Sequence, residues 1–291
     1  MFKEFIVATD LSPASQAVVN CLSGLKDYGA ENCLLLQCLS FADAASSAFS
    51  YDAEKLAELL KIQKDILEKQ GFNVEVRSVV GAPKYEINRI ANTEGYELIV
   101  VGSQGKSIVE EKILGGVAYG IINKSSKPVL VIPIKKESGD DNICATYQRC
   151  KFTDHLLFAT DFSEVANNAF ATLEKLVVHG VKKVTMVHVQ DKVNIEPHLK
   201  DRLEEFNEHD RKRLEYLKGL LSKKSDAEIE TEICYGLPHE EITRLVLDRN
   251  AQMVVMGTQG RGFMGEIFLG SVSHNVARLS EAPVLLVPVK R

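Results

Sequence analysis

The sequence predicts an α/β protein made of two tandem copies of one domain, each with five strands in a parallel sheet. Three observations support this fold class. The chain has 291 residues, more than the roughly 100 to 200 that are typical of one domain. One segment returns later in the chain, and in both copies strand-like runs alternate with amphipathic helical patterns. Such alternation is typical of parallel strands that are joined by right-handed helical crossovers.

An internal repeat divides the chain into two similar parts. The segment IVATDLS at residues 6–12 returns as LFATDFS at residues 157–163, an offset of 151. Over residues 81–135 the offset is 155 without a gap. Self-similarity of this length indicates a duplicated structural unit. The predicted domains are residues 1–136 and 152–291, joined by a polar linker over residues 137–151.

The elements of the first copy follow in order from apolar runs and from helix signals. The predicted strands span residues 4–9, 33–39, 73–80, 98–101 and 129–132. A first helix begins at the N-cap Ser12 with Pro13 in its first turn, and we expect Gly29 to end it. Further helices are predicted over residues 52–70, 83–94 and roughly 112–124.

The second copy repeats this order, and its long helix carries a marked apolar stripe. The residues of the stripe recur at helical spacing: Leu199, Leu203, Phe206, Leu214, Leu217 and Leu221. We expect the stripe to be a packing surface rather than a cofactor contact.

Composition excludes several classes of protein. The net charge of −5 gives no basic surface for nucleic acid or for an anionic membrane. No run approaches the roughly 18 to 20 apolar residues that cross a bilayer, so we expect a soluble, cytoplasmic protein. Four cysteines lie in apolar or strand-like runs and are expected to be free thiols of the core, namely Cys21, Cys33, Cys38 and Cys234.

A glycine-rich loop follows the fourth strand of the second copy. Met256 ends the strand, Gly257 and Gly260 lie in the loop, and Gly270 and Ser271 stand at the start of the last helical pattern. Glycines let the backbone approach a ligand, and helix N-termini attract anions. In open α/β sheets, ligands bind beyond the carboxyl ends of the strands. The loop therefore predicts a phosphate site, although each single glycine could instead serve only a tight turn.

Two related motifs do not fit their usual context. Residues 260–265 match GxGxxG, but they follow the fourth strand of their copy rather than the first, and no acidic ribose ligand follows about 20 residues on. Gly105, Lys106 and Ser107 resemble the end of a Walker A loop, yet Val100 stands where its first glycine is required. We therefore predict neither a dinucleotide site nor a P-loop.

The pattern Gly-x2-Gly-x9-Gly-Ser, between an apolar strand and a final Pro-Val-Leu strand, resembles the universal stress protein family over nearly the whole chain, as two tandem copies. The resemblance implies a five-stranded, doubly wound, Rossmann-like domain of the adenine nucleotide α-hydrolase-like type. It also implies bound ATP or AMP in members that keep the motif, and pairing of domains through the last strand.

Carried over to this sequence, the resemblance implies a phosphate and ribose site made of Gly257, Gly260, Gly270 and Ser271, beside Met256, Arg261, Gly262 and Val272. Ala159, Thr160 and Asp161 would flank the adenine or the ribose, and Val189 matches a position that contacts the base. Asp161 has an alternative role as a plain helix-entry residue.

The first copy departs from this pattern. Asp10, Gly102, Gly105 and Gly115 match, but Gly116 replaces the serine and removes a hydroxyl donor. Glu110 stands where the second copy has Gly265, and its negative charge opposes anion binding. The first site is therefore predicted to be the weaker one, limited to AMP or to support of the fold.

Three functions follow from these observations as alternatives. The first is a nucleotide-binding regulatory protein of the stress response without a chemical step, since the sequence suggests no catalytic triad and no metal-ligand spacing. His188, His239 and His274 are interpreted as polar or packing residues rather than bases. The second is a slow ATPase in which Asp161 helps to hold Mg²⁺. The third is a structural module that uses the edge of its last strands.

That third alternative has a specific form. The strands at residues 129–132 and 285–287 could pair antiparallel within one molecule and give a pseudo-dimer, and two chains could associate further as a homodimer.

Overall fold

The computed structural model describes residues 1–40, 49–105, 113–136, 143–145, 151–196, 202–260 and 269–289. The chain divides into two compact units, Met1–Cys150 and Lys151–Arg291. Both units have the predicted α/β architecture, with every strand of each main sheet parallel to its neighbours.

The first unit contains five strands of a parallel sheet. They are β1 Glu4–Thr9, β2 Asn32–Leu39, β3 Asn73–Val80, β4 Leu98–Gly102 and β5 Val129–Ile132. The helices are α1 Pro13–Asn20, α2 Phe49–Lys69, α3 Pro83–Thr93 and α4 Gly116–Lys124. The order across the sheet is β3-β2-β1-β4-β5. The chain therefore winds outward in one direction from β1 and then in the other, which is the doubly wound arrangement.

The first helix is shorter than predicted. Ser12 is its N-cap and Pro13 its first residue, as expected, but α1 ends at Asn20 and a 3₁₀ helix follows over Ser23–Tyr28. The prediction that Gly29 ends α1 was wrong, because Gly29, with φ of 83°, ends the 3₁₀ helix. The Gln70 side chain explains the early end of α1, since it donates to the Val19 carbonyl at 2.7 Å and accepts from the Leu22 N–H at 3.1 Å.

A small hairpin occupies part of the segment that the sequence assigned to the linker. β6 Ile134–Lys136 pairs antiparallel with β7 Ile143–Ala145, and both belong to the first unit. The sequence did not predict this hairpin, because each strand has only three residues and the segment is polar.

The second unit repeats the plan. Its strands are β8 His155–Ala159, β9 Lys183–Asp191, β10 Glu228–Gly236, β11 Met253–Gly257 and β12 Val284–Val287. Its helices are α5 Glu164–Val177, α6 Lys192–Ile195, α7 Leu203–Leu221, α8 Pro238–Asp248 and α9 Ser271–Leu279. The order β10-β9-β8-β11-β12 reproduces that of the first unit.

The cores consist of the sheets and the helix faces that cover them. Every residue of β5, β8, β11 and β12 is buried, as expected for strands that are covered on both faces. Along the predicted stripe of α7, Leu214 and Leu221 are fully buried, whereas Leu199 lies outside the described residues. Within the described ranges, no helix combines the length and the apolar character that a bilayer crossing requires.

Candidate functional site

The turn after β8 holds Asp161 in a defined position. The Thr160 hydroxyl accepts a hydrogen bond from the Phe162 N–H, and Asp161 Oδ1 accepts one from the Ser163 N–H, each at 3.0 Å. Phe162 has φ of 60°, a left-handed conformation that is rare for a side-chain-bearing residue. Ser163 then caps α5 through the Ala166 N–H. The turn is thus tied down locally, with Asp161 Oδ2 directed toward the glycine loop.

The glycine loop approaches this carboxylate closely. A Cβ atom at Gly260 would lie 2.6 Å from Asp161 Oδ2. At Gly257 a Cβ would lie 2.9 Å from Val165 Cγ1 and 3.2 Å from the Val165 carbonyl carbon. The distances of 2.6 and 2.9 Å are too short for a real Cβ contact, so a side chain at either position would require Asp161 or Val165 to move.

The N-terminus of α9 faces the same space. Gly270 is its N-cap, with no side-chain acceptor for the first N–H groups among the described residues. The Gly270 N–H donates to the Thr258 carbonyl at 2.8 Å, and the Ser273 hydroxyl donates to that carbonyl at 2.6 Å. Gly270 therefore lines the site, but its N–H is paired with the Thr258 carbonyl and is not a donor for a ligand. The exposed Ser271 and the half-buried Val272 begin the helix and line the cavity, so the positive end of the helix lies beside it.

One cavity of about 660 Å³ lies at the carboxyl ends of the strands of the second unit. Ten of the twelve residues predicted for this site line it together: Ala159, Thr160, Asp161, Val189, Met256, Gly257, Gly260, Gly270, Ser271 and Val272. The other two, Arg261 and Gly262, lie outside the described residues, as do Glu110 and Gly265.

A polar wall lines one side of this cavity, and the sequence analysis named only its His188, as a polar or packing residue. It consists of His188 and Gln190 of β9 and of Asp210 and Arg213 of α7. His188 Nδ1 lies 2.7 Å from the Thr160 carbonyl oxygen, and its Nε2 lies 3.4 Å from Asp210 Oδ2. Gln190 Nε2 donates to the same Asp210 oxygen at 3.2 Å, and Arg213 Nη1 lies 3.6 Å from Asp210 Oδ1.

Asp210 could have been found from the sequence. It stands four residues after Phe206 and four before Leu214, so it lies on the apolar stripe of α7, and it is buried there. A carboxylate at such a position requires buried partners. In the structure these partners are His188, Gln190 and Arg213. Arg213 also stacks on Phe162, with its guanidinium carbon 3.9 Å from the ring centroid.

The other two histidines, His274 and His239, are not part of this polar wall. His274 lies in α9, and burial, followed by the nearby Arg278, lowers the pKa of its imidazole, which favours the neutral form at pH 7. His239 is the second residue of α8 and does not line the cavity.

The first unit has a corresponding cavity of about 540 Å³, lined by the predicted Asp10, Gly102, Gly105 and Gly115. A Cβ at Gly105 would lie 2.8 Å from Asp10 Oδ2, and the Gly115 N–H donates to the Ser103 carbonyl at 2.7 Å. Both features repeat those of the second unit.

The side chains of this first cavity differ. Cys38 occupies the strand position of Val189, because Ala8 pairs with Leu36 as Ala159 pairs with Val187. Burial, and then the charge of Glu86, raises the pKa of the Cys38 thiol to about 11, so the thiol is protonated at neutral pH.

Comparison with known proteins agrees with this architecture. A family model described as the universal stress protein family matches residues 1–133 and 153–288. Universal stress protein MJ0577 of Methanocaldococcus jannaschii is 32% identical over 157 residues, which cover 46% of this chain and 97% of that protein. Universal stress protein YxiE of Bacillus subtilis is 27% identical over 145 residues, 45% of this chain and 97% of that protein.

A solved structure extends the similarity to both units. The crystal structure of a universal stress protein from Archaeoglobus fulgidus is 25% identical, has a TM-score of 0.73, and covers 99% of this chain and 97% of its own. The family model matches most of the chain, once in each unit, and both units have the doubly wound sheet. The chain therefore belongs to the universal stress protein family and carries two of its domains in tandem.

Proposed function

We propose that the second unit binds an adenine nucleotide, ATP or AMP, with its phosphates at the N-terminus of α9. The observation that carries this proposal is the convergence of the Gly257–Gly260 loop, Asp161 and the start of α9 on one cavity. The N–H groups of the first helical turn are unpaired within a helix, and the helix dipole adds positive potential there. Such an end is a natural phosphate site.

The remaining parts of a nucleotide have places in the same cavity. Asp161 Oδ2 lies beside the loop and is an acceptor of the kind that ribose hydroxyls require. Val189, at the end of β9, is the base-contacting position that the family resemblance implies, and the apolar Ile242 and Met256 also line the cavity. Ligand cavities typically combine apolar walls with a few polar groups in this way.

We further propose that binding, rather than chemistry, is the role of this site, as suits a regulatory protein of the stress response. A slow ATPase is the alternative, with Asp161 helping to hold Mg²⁺. Among the described residues, no three His, Cys, Asp or Glu side chains are grouped for a metal. Mg²⁺ is commonly held by one or two carboxylates together with nucleotide phosphates, so it would reach Asp161 with ATP. Phosphate release from Mg-ATP that is no faster than in buffer would exclude this alternative.

The binding proposal is tested by a charge placed at the helix start. Ser271→Asp adds a carboxylate against the phosphates, whereas an acidic residue in the first turn suits the helix itself. Two like charges about 4 Å apart at a protein surface oppose each other by up to about 4 kcal/mol. We expect titration calorimetry with ATP to show at least a hundredfold weaker binding at the tighter site.

The matched control is Gly116→Asp, at the corresponding start of α4 in the first unit. It should leave the tighter site unchanged. If Ser271→Asp binds ATP as the natural chain does, the phosphates are not at α9 and the proposal fails.

A further inference from the structure

Gln190 carries a buried acceptor that has no donor within the described part of the chain. The residue lies near the end of β9, lines the cavity of the second unit and is only 3% exposed. Its Nε2 donates to Asp210 Oδ2 at 3.2 Å, while its Oε1 has no hydrogen-bond partner there. A buried acceptor left without a donor is destabilising, so a ligand that supplies an N–H there is favoured on binding.

The orientation of the Gln190 amide follows from chemistry. A carboxylate only accepts hydrogen bonds, so the amide end that meets Asp210 must be the NH₂ group. Asp210 is itself held by His188 at 3.4 Å and by Arg213 at 3.6 Å, and it is buried. The hydrogen bond to this carboxylate keeps the amide turned one way. Oε1 is thereby the end of the amide that has no donor among the described residues.

The position of Gln190 in the sheet suits the base of a nucleotide. In the strand order β9-β8-β11-β12, β9 lies two strands from β11, whose loop approaches the start of α9. Two strand spacings amount to roughly 10 Å. A nucleotide whose phosphates lie at α9 and whose ribose lies at Asp161 would extend along this edge toward Val189 and Gln190.

We propose that Gln190 Oε1 accepts a hydrogen bond from the 6-amino group of a bound purine, and that Asp210 is the positioning residue that sets the amide. This inference rests on the proposed nucleotide site and deepens it. Adenine presents an amino donor at its 6-position, whereas hypoxanthine and guanine present an oxygen there, which would face Oε1 acceptor to acceptor. Gln190 is thereby a specificity residue for 6-amino purines.

The first unit has no side-chain acceptor at the position of Gln190. Leu39 occupies the strand position that corresponds to Gln190, by the same pairing that aligns Leu36 with Val187. A leucine has no side-chain acceptor, so this position of the first unit cannot distinguish a 6-amino from a 6-oxo purine.

The experiment compares ATP with inosine triphosphate, which has an oxygen in place of the 6-amino group. Calorimetry of the full chain should show ATP bound at least about tenfold more tightly at the stronger site, because a site built around a hydrogen bond rejects the analogue that lacks it. Gln190→Met keeps the length of the side chain and removes the amide. We expect it to bring the ratio of the two affinities close to one, chiefly through weaker ATP binding.

The matched control is Gln252→Met. Gln252 is buried to a similar extent, at 5% exposed, and donates to the Asn250 carbonyl outside the cavity. It should leave the ratio unchanged, and melting curves of both variants establish that the fold is retained. An unchanged ratio in folded Gln190→Met would overturn the inference.

Asp210→Asn tests the positioning role separately. The amide that replaces the carboxylate can donate as well as accept, so the Gln190 amide is free to turn and offer its NH₂ group to a 6-oxygen. Inosine triphosphate should then gain relative to ATP by about fivefold or more, since the reversed amide favours the other base. A ratio equal to that of the natural chain would remove Asp210 from the proposal. If the natural chain binds neither nucleotide, the proposed function itself fails, whereas equal binding of both overturns only the role of Gln190.

Discussion

The cavity of the first unit and that of the second unit are built around the same contact between a carboxylate and a glycine. Asp10 with Gly105, and Asp161 with Gly260, leave no room for a side chain on the loop. In both units the residue after the aspartate has φ of 60°. The duplicated backbone has therefore been retained at both sites.

The walls of the two cavities differ much more than their loops. Ser271 and Ser273 of α9 correspond to Gly116 and Ala118 of α4, so the first unit lacks two hydroxyl groups. Beside β1, the Thr9 hydroxyl donates to Gln63 Oε1 of α2 at 2.7 Å. In the second unit, Thr160 instead lies beside the polar wall, where its carbonyl oxygen is 2.7 Å from His188 Nδ1.

This comparison indicates what each feature contributes. The glycines and the aspartate shape the opening and are needed wherever the loop passes the turn, whether or not a ligand binds. The hydroxyl groups and the polar wall are present in one copy only, so they are the features that can make the second site tighter and more selective. Three predictions test this division, in order of decreasing effect.

The largest effect is expected from closing the loop contact. Gly260→Val places a branched side chain where even a Cβ lies 2.6 Å from Asp161 Oδ2. Asp161 must turn away, so we expect at least a hundredfold loss of ATP affinity at the stronger site, measured by calorimetry. Because Gly260 is exposed, the melting temperature should change little. Gly105→Val, the matched change in the first unit, should spare the stronger site, and equal losses in the two variants would contradict the comparison.

A smaller effect is expected from restoring one hydroxyl group. In the natural chain, the first site should bind ATP at least tenfold more weakly than the second. Gly116→Ser returns the donor and should tighten the first site by about three- to tenfold, the net value of one typical hydrogen bond. Two equal sites in the natural chain would show that the wall differences do not matter.

The smallest effect concerns Cys38. Burial raises the pKa of its thiol to about 11, and only the thiolate reacts readily with alkylating reagents. At pH 8, iodoacetamide should therefore label Cys38 much more slowly than a free cysteine, with the rate rising as the pH approaches 11. Cys38→Val, which copies Val189, should change the free energy of unfolding by less than about 1 kcal/mol. Rapid labelling at pH 8 would contradict the described burial.

Much of the site could be predicted because its residues follow strand ends directly. Asp161 ends an apolar run, and Gly257 and Gly260 end another, so a parallel sheet brings them to one edge without further information. Gly270 shows the limit of that reasoning. Its place in the cavity followed from the motif, but the hydrogen bond of its N–H to the Thr258 carbonyl depends on how the loop closes.

By itself, the sequence determined the duplication, the alternation of strands and helices, and the aspartate and glycines at the strand ends of each copy, because these depend on periodicity and on local capping and turn chemistry. Only the tertiary structure decided which helix closes the cavity. Gln190 and Asp210 are 20 residues apart and belong to different elements. Their contact exists because α7 packs on β9 at one particular rotation, which is set by the burial of Leu214 and Leu221. Long-range packing of this kind fixes side-chain partners that no local pattern specifies.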